Sequence, residues 1–438
     1  MKFLNRKEEL NLLKNISEKS KKSSQMTIIL GRRRVGKTRL IFKSFKNDKF
    51  IYFFISRKSE PLLCEEFVNE IKDKLDISII GKVQKFSDIF RFIIDYSKRE
   101  HVNVVIDEIQ EFFKINKSVY SDIQKIWDIN KEQAHINLIF SGSIYSIMKN
   151  IFENSKEPLF NRMNNRIVLK PLSPLTIKDF LSENNKYTND NFLDFYTITG
   201  GIPKYIELFY ENNAFEIDKI IDIIFRENSV FLEEGKNVLI EEFGKDYYNY
   251  FSILSLIASS KTSRSEIESI IENNVSGFIE RLEKDYSVLK KIKPILSKPG
   301  AKRQKYEIVD NFLNFWFRFI YKNQNIIHAN NFNYLKEIVK RDFESYRGIF
   351  LERLFLEHFK NIGKYTLLGK YWEKGHKNEV DIVAVNDKEK IVELYDVKIK
   401  DNKIDIKTLK ERAIRLVKNF KNYEIQYKGL SLKDLEKL

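Results

Sequence analysis

Apolar residues fall along this chain in two rhythms. Apolar runs at residues 26–30, 50–55, 102–106 and 136–140 predict strands, the first of them buried. Apolar positions spaced three or four apart at 61–75 and 85–98 predict helices between them, and Leu10, Leu13 and Ile16 share the face of an earlier one. A further helix is expected at 37–44, after a glycine-containing turn. Strands separated by helices require a parallel sheet with helices on its faces, so residues 1–172 are expected to form an α/β core.

Past that core the period is helical from 175 to 239, with a break at Gly200-Gly201-Ile202-Pro203, which predicts a small helical lid over 173–243. Short helices at 247–258, 263–271 and 276–286 precede strands at 288–292 and 305–309, joined around a Lys298-Pro299-Gly300 turn. Three helices and a two-stranded wing make a winged helix, here over 244–310. An aromatic-rich helical connector is expected over 311–346, its rings packed in a core. A small α/β module should fill 347–438: a helix at 347–360, strands at 380–385 and 391–399, and a helix at 407–419.

The first apolar run ends in Gly31-Arg32-Arg33-Arg34-Val35-Gly36-Lys37-Thr38, which fits G-x-x-x-x-G-K-[ST] with the strand before it and the helix after it that this motif needs. The two glycines let the backbone curl until successive N–H groups and the helix N-terminus face phosphate oxygens. Lys37 then reaches the β and γ phosphates, and the Thr38 hydroxyl holds Mg²⁺. ATP and Mg²⁺ are the cofactors this motif implies. The strand at 102–106 ends in Asp107-Glu108, where Asp107 can hold the Mg²⁺ water shell and Glu108 can polarise the attacking water. The run at 136–140 leads into Ser141-Gly142-Ser143, bringing a hydroxyl near the γ-phosphate, either as a sensor or as a plain strand-to-helix turn.

Together GRRRVGKT, IDEIQ and SGS resemble the archaeal ATPase family within the STAND branch of AAA+ P-loop proteins. The opening Phe3-Leu4-Asn5-Arg6-Lys7-Glu8-Glu9-Leu10 is similar to that family's F-x-x-R-x-x-E-L, which implies that Arg6 lies near the adenine. Gly201-Ile202-Pro203 looks like its GxP turn, implying that Pro203 packs on the base. Arg162 matches a family arginine that stabilises transition-state charge, in cis or from a neighbouring subunit; its alternative is a surface salt bridge. The family's usual glycine before that arginine is Asn161 here. The run from Tyr306 to Phe319 is similar to the family's associated C-terminal region, so the resemblance covers nearly the whole chain.

Asp381, Asp396 and Lys398 read D-x14-D-x-K on two expected strands. Residues two apart on a strand share a face, so Asp396 and Lys398 point the same way and an adjacent strand can add Asp381. Two carboxylates can hold Mg²⁺ against a phosphodiester while a lysine steadies developing charge. The pattern resembles the PD-(D/E)XK nucleases, with Glu352 matching the acid that superfamily places on the preceding helix. An active nuclease, a nuclease fold kept for binding, and a solvated edge strand are the three readings.

The balance of 77 Lys and Arg against 62 Asp and Glu gives +15 and fits a DNA partner, although lysine is abundant throughout. Lys290, Lys291, Lys293, Lys298, Lys302, Arg303 and Lys305 gather around the expected wing, where phosphate contacts would fall. One cysteine, Cys64, excludes an intrachain disulfide and a thiolate metal cluster and fits a cytoplasmic setting. Apolar runs are too short for a membrane span, and the N-terminus is not a signal peptide. The function expected is an ATP-hydrolysing switch acting on DNA, with a Mg²⁺-dependent nuclease module; the alternative is a signalling or scaffold ATPase that recognises a protein partner.

Overall fold

The computed structural model describes residues 3–244, 247–298, 300, 303–375 and 377–438. Pro299 and Lys302 of the expected wing lie outside the described residues, as do Met1 and Lys2 at the head of the first expected domain. The chain divides into two compact units, residues 3–171 and 172–438.

In the unit 3–171, strands β1 (Gln25–Leu30), β2 (Phe50–Phe54), β3 (Val102–Asp107), β4 (Ile136–Ser141) and β5 (Asn165–Val168) form one parallel sheet in the order β2-β3-β4-β1-β5. Strands β1, β3 and β4 are buried at every position because helices cover both faces, which is why they read as mostly apolar runs. Ile28, Val104, Ile106, Leu138 and Phe140 pack with Phe67, Phe90 and Trp127 of the helices. Since β4 lies between β1 and β3, with Ile29 beside Ser141 and Ile106 beside Phe140, three adjacent strands end together. The P-loop, Asp107-Glu108 and Ser141-Gly142-Ser143 follow these three ends.

The unit 172–438 opens with helices Pro174–Glu183, Asn189–Thr199, Pro203–Glu211, Ile217–Ile224 and Val230–Phe243. The expected break is made by Gly200 (φ 55°) and Gly201 (φ 79°), both left-handed, and a Cβ on Gly201 would lie 2.1 Å from the Leu172 carbonyl oxygen. Helices Tyr247–Ala258, Arg264–Ile271 and Ser276–Lys284 follow, then β6 (Leu289–Ile292) paired antiparallel with β7 (Lys305–Ile308). Helix Asn311–Phe315 continues into a π-helical turn, Trp316–Ile320, and Phe312, Phe315, Trp316, Phe317 and Phe319 are all buried, so these aromatics are core.

One expected boundary is corrected. The division between connector and C-terminal module at 346/347 falls inside a single helix, Phe332–Ile362, whose buried Leu335, Val339, Phe343, Tyr346, Phe350 and Leu354 stay in phase across it. Gly348 lies inside this helix, where one glycine costs only about 1 kcal/mol. Beyond it β8 (Leu367–Tyr371), β9 (Val380–Asn386), β10 (Ile391–Lys398) and β11 (Glu424–Ser431) form a mixed sheet in the order β11-β10-β9-β8. Helix Ile406–Val417 packs Leu409, Ala413 and Leu416 on Val383, Val385 and Leu394, while Phe359 meets Tyr395 at 5.1 Å between ring centroids. Ile295, just past β6, joins the same core, and its N–H donates to the Lys370 carbonyl at 2.8 Å. Among the described residues no helix is long and apolar enough to cross a membrane.

Candidate functional site

The P-loop turns where its backbone allows. Arg34 (φ 72°) and Gly36 (φ 91°) are left-handed, and Gly36 caps helix Lys37–Ser44. Gly31 is the narrow point, since a Cβ there would stand 2.9 Å from the Leu169 oxygen and 3.0 Å from Val35 Cγ2. Val35 is buried beneath the loop, Arg32 and Arg33 are half-buried, and Arg34 is exposed. Lys37 is buried, with Nζ donating to the carbonyls of Gly31 (2.6 Å) and Arg32 (3.2 Å). Its ammonium thus sits in the cup of the loop, where a phosphate oxygen would take over from the carbonyls.

Arg6 braces this loop from outside. It donates to Lys170 O at 2.6 Å, to Val35 O at 3.4 Å and to Glu9 at 3.0 Å, and burial lowers its pKa against the opposing pull of Glu9. Asn5 (φ 40°) and Arg6 (φ 87°) turn the chain so that the side chain can reach inward.

At the end of β3 each acid has defined partners. Asp107 Oδ2 accepts from Thr38 Oγ1 (3.1 Å) and from the Tyr52 hydroxyl (2.6 Å), and Oδ1 accepts from the Glu108 N–H (3.0 Å). Glu108 is left-handed (φ 56°), which swings its side chain toward the end of β4. There Glu108 Oε2 accepts from Ser143 Oγ (2.7 Å), the Ser143 N–H (3.3 Å) and Gln110 Nε2. Ser143 therefore grips Glu108. Ser141 Oγ is fully buried at the end of β4 and, among the described residues, has no hydrogen-bond partner. Paired Thr38 and Asp107 oxygens beside an orphaned hydroxyl suit a hydrated divalent cation and a phosphate oxygen.

Arg162 is engaged elsewhere. Its guanidinium holds Asp128 through Nε (3.1 Å) and Nη2 (2.9 Å), and Nη1 donates to the Pro158 carbonyl at 2.7 Å. Asn161 takes the left-handed conformation (φ 57°) that a glycine would, so the missing glycine leaves the turn intact. Pro203, in the other unit, opens helix Pro203–Glu211 at a position where its absent N–H costs nothing.

The C-terminal unit brings its sequence-singled acids together. Lys398 Nζ donates to Asp396 Oδ1 (2.6 Å) and Asp381 Oδ2 (3.2 Å); Asp381 also accepts the Val397 N–H, and Asp396 accepts the Asp405 N–H. Burial works to lower the Lys398 pKa, but Asp396 and Asp381 outweigh it and raise it, which keeps this lysine a cation. Glu352 pairs with Lys370 on β8 at 2.5 Å, and burial raises its pKa with help from the Asp381 charge. Glu352 and Asp381 line a cavity of about 310 Å³, whose other wall includes Thr262, Ile292, Tyr306 and Glu307 from the ribbon side of the unit. Among the described residues no three His, Cys, Asp or Glu side chains gather to hold a metal.

Three of the six described cations around the β6–β7 ribbon are paired. Lys290 pairs with Glu307 and Lys291 with Glu283, each at 3.0 Å, and Lys305 pairs with Glu379 while lying 4.8 Å over the Trp372 ring. Lys293, Lys298 and Arg303 are exposed. Tyr52, Gln110 and Lys370 are contacts that sequence reasoning did not single out; only Gln110 left a signal, as the last residue of IDEIQ.

Residues 3–209 match the family described as an ATPase domain predominantly from Archaea, and residues 316–415 match a family of archaeal and bacterial proteins of unknown function. A relative from Methanocaldococcus jannaschii, itself described only as uncharacterized, is 26% identical over 446 residues, covering 99% of this chain and 94% of its own. The Walker-type ATPase of Pyrococcus abyssi superposes with a TM-score of 0.54 at 18% identity, covering 72% of this chain and 96% of that one, which is a likeness of fold.

Proposed function

Since residues 3–209 match the archaeal ATPase family and the chain is a P-loop ATPase, we propose that it works as an ATP-driven switch in which nucleotide hydrolysis governs a DNA-directed C-terminal module. The observation that carries the ATPase part is the meeting of Thr38, Asp107, Glu108 and Ser143 at three adjacent strand ends. Lys37 and the P-loop amides hold the phosphates, Arg32, Arg33 and Arg34 add positive charge, and Thr38 with Asp107 holds Mg²⁺. Bound there, the cation neutralises charge that develops on the phosphoryl oxygens. Glu108, steadied by Ser143 and Gln110, orients and deprotonates the attacking water, and Ser141 offers its hydroxyl to a phosphate oxygen. Arg6 fixes the outer wall of the loop.

ATP binding and hydrolysis by three purified proteins test this. Wild type binds and hydrolyses; Glu108→Gln keeps its affinity but loses hydrolysis by about 10²-fold or more. Lys37→Ala loses binding, and unchanged affinity in that variant sinks the site assignment.

For the C-terminal module, the Asp381–Lys398–Asp396 contact supports phosphodiester chemistry of the nuclease kind, with Glu352 as the neighbouring acid. Supercoiled, linear and single-stranded DNA incubated with Mg²⁺ or Mn²⁺, with and without ATP, beside Asp381→Ala, decides it. Cleavage by wild type alone supports an ATP-regulated nuclease; cleavage by neither protein removes it. A second reading, a switch that recognises a protein partner, is favoured by the internal pairing of Lys290, Lys291 and Lys305, which takes cations away from phosphate contact. DNA binding that falls steeply with salt argues for the first reading, and salt-insensitive binding to protein alone for the second.

A further inference from the structure

We propose that Tyr52 is a positioning residue of the nucleotide site, whose hydroxyl holds the Asp107 carboxylate in the orientation that receives the metal's water shell. The inference rests on the reading of Thr38 and Asp107 as the Mg²⁺-holding pair.

Tyr52 stands on the edge strand β2, one strand away from Asp107, where Phe54 pairs in register with Asp107 and Tyr52 with Val105. Its ring is fixed by the helix that follows the P-loop: Phe42 lies 4.8 Å from Tyr52 and 5.4 Å from Phe50, ring centre to ring centre. From that clamp the phenol reaches Asp107 Oδ2 at 2.6 Å, closer than the 3.1 Å of Thr38 Oγ1 on the same oxygen. The phenol O–H is thus the nearer of the two side-chain donors on that oxygen.

A carboxylate offers about four acceptor sites on two oxygens. On Asp107 three are taken, by the Glu108 N–H, Tyr52 and Thr38. Of these donors only Thr38 is asked to turn toward the cation. The backbone amide on one oxygen and the phenol on the other then hold the carboxylate plane, leaving the Thr38-facing site of Oδ2 for a metal-bound water. Ring packing secures the strand; the hydroxyl orients the acid.

The test compares full-length wild type with Tyr52→Phe, which keeps the ring and removes the hydroxyl. Affinity for a fluorescent ATP analogue is measured in EDTA and across a Mg²⁺ titration, with thermal unfolding alongside. Affinity in EDTA should stay within about twofold, while half-saturating Mg²⁺ should rise by about tenfold, the low end for one hydrogen bond to a charged group. Unchanged half-saturating Mg²⁺, or a lowered one, overturns the assignment. Equal weakening with and without Mg²⁺, or a fall in thermal stability alone, assigns Tyr52 to the scaffold instead. Nucleotide binding by wild type that ignores Mg²⁺ altogether defeats the metal-site reading itself, and the proposal with it.

Discussion

Replacing Glu307 by Gln should remove a pH-dependent share of the stability of the unit 172–438. Glu307, on β7, is paired with Lys290 at 3.0 Å and Arg353 at 3.3 Å, and its side chain is 19% exposed. Burial alone would raise its pKa. The charges of Arg353, Lys290 and Lys370 together outweigh burial and hold it at about 2, against an ordinary 4.5. A carboxyl whose folded pKa is depressed contributes stability that is present above the unfolded value and lost as pH falls through the folded one. At 1.36 kcal/mol for each pKa unit, the charge of Glu307 is worth about 3 kcal/mol at neutral pH, declining by about 1.4 kcal/mol per pH unit between pH 4.5 and 2. Gln keeps the shape and loses the charge, and Arg353 retains Asn311 and the Ile308 carbonyl as acceptors. Urea unfolding followed by tryptophan fluorescence should give curves that lie furthest apart above pH 4.5 and converge below it. Parallel curves across that window would refute the reasoning, and with it the view that the β6–β7 ribbon is anchored to helix Phe332–Ile362 by charge.

Gly235→Ala should destabilise the same unit by about 1–3 kcal/mol, because a Cβ there would come within 2.2 Å of the fully buried Trp316 indole, which is tied to the Leu232 carbonyl and cannot withdraw; thermal unfolding checks this, and a gain of about 1 kcal/mol from helix propensity alone would contradict it. Arg162→Ala should leave ATP turnover within about threefold and cost at most about 1 kcal/mol of stability, as expected for a partly exposed pair with Asp128. A loss of two or more orders of magnitude in turnover, at unchanged stability, would return Arg162 to the transition state.

How much of this was readable in the sequence follows from where each piece lies. Strands β1, β3 and β4 are covered on both faces, so burial wrote itself into the chain as apolar runs, and the residues just past their ends could be assigned with them. The edge strand β2 shows the same mark in its run 50–55, but other edge strands do not. Asn165–Val168 is buried at one position only, and Leu367–Tyr371 and Glu424–Ser431 are half-exposed along most of their length, so their residues answer to solvent as much as to the sheet. The π-helical turn at Trp316 departs from both periods by which elements are read.

The contacts that tune the site were hidden for a different reason. Spacing along the chain tells which residues share a face of one element, but the grip of Ser143 on Glu108 and of Tyr52 on Asp107 depends on the order of strands in the sheet. Ser143 follows β4, which lies beside β3, and Tyr52 lies on β2, beside β3 on its other edge. The two acids at the end of β3 are thereby held from opposite sides, Glu108 by the strand shared with the P-loop and Asp107 by the strand at the sheet's rim. A shift of β2 would be felt by Asp107, the acid proposed to hold the metal, and a shift at the end of β4 by Glu108, the one proposed to orient the water. On the proposed roles, a conformational change elsewhere in the unit could reach the site at either point, through β2 to Asp107 or through the end of β4 to Glu108, and the Glu108 N–H on Asp107 Oδ1 links the two.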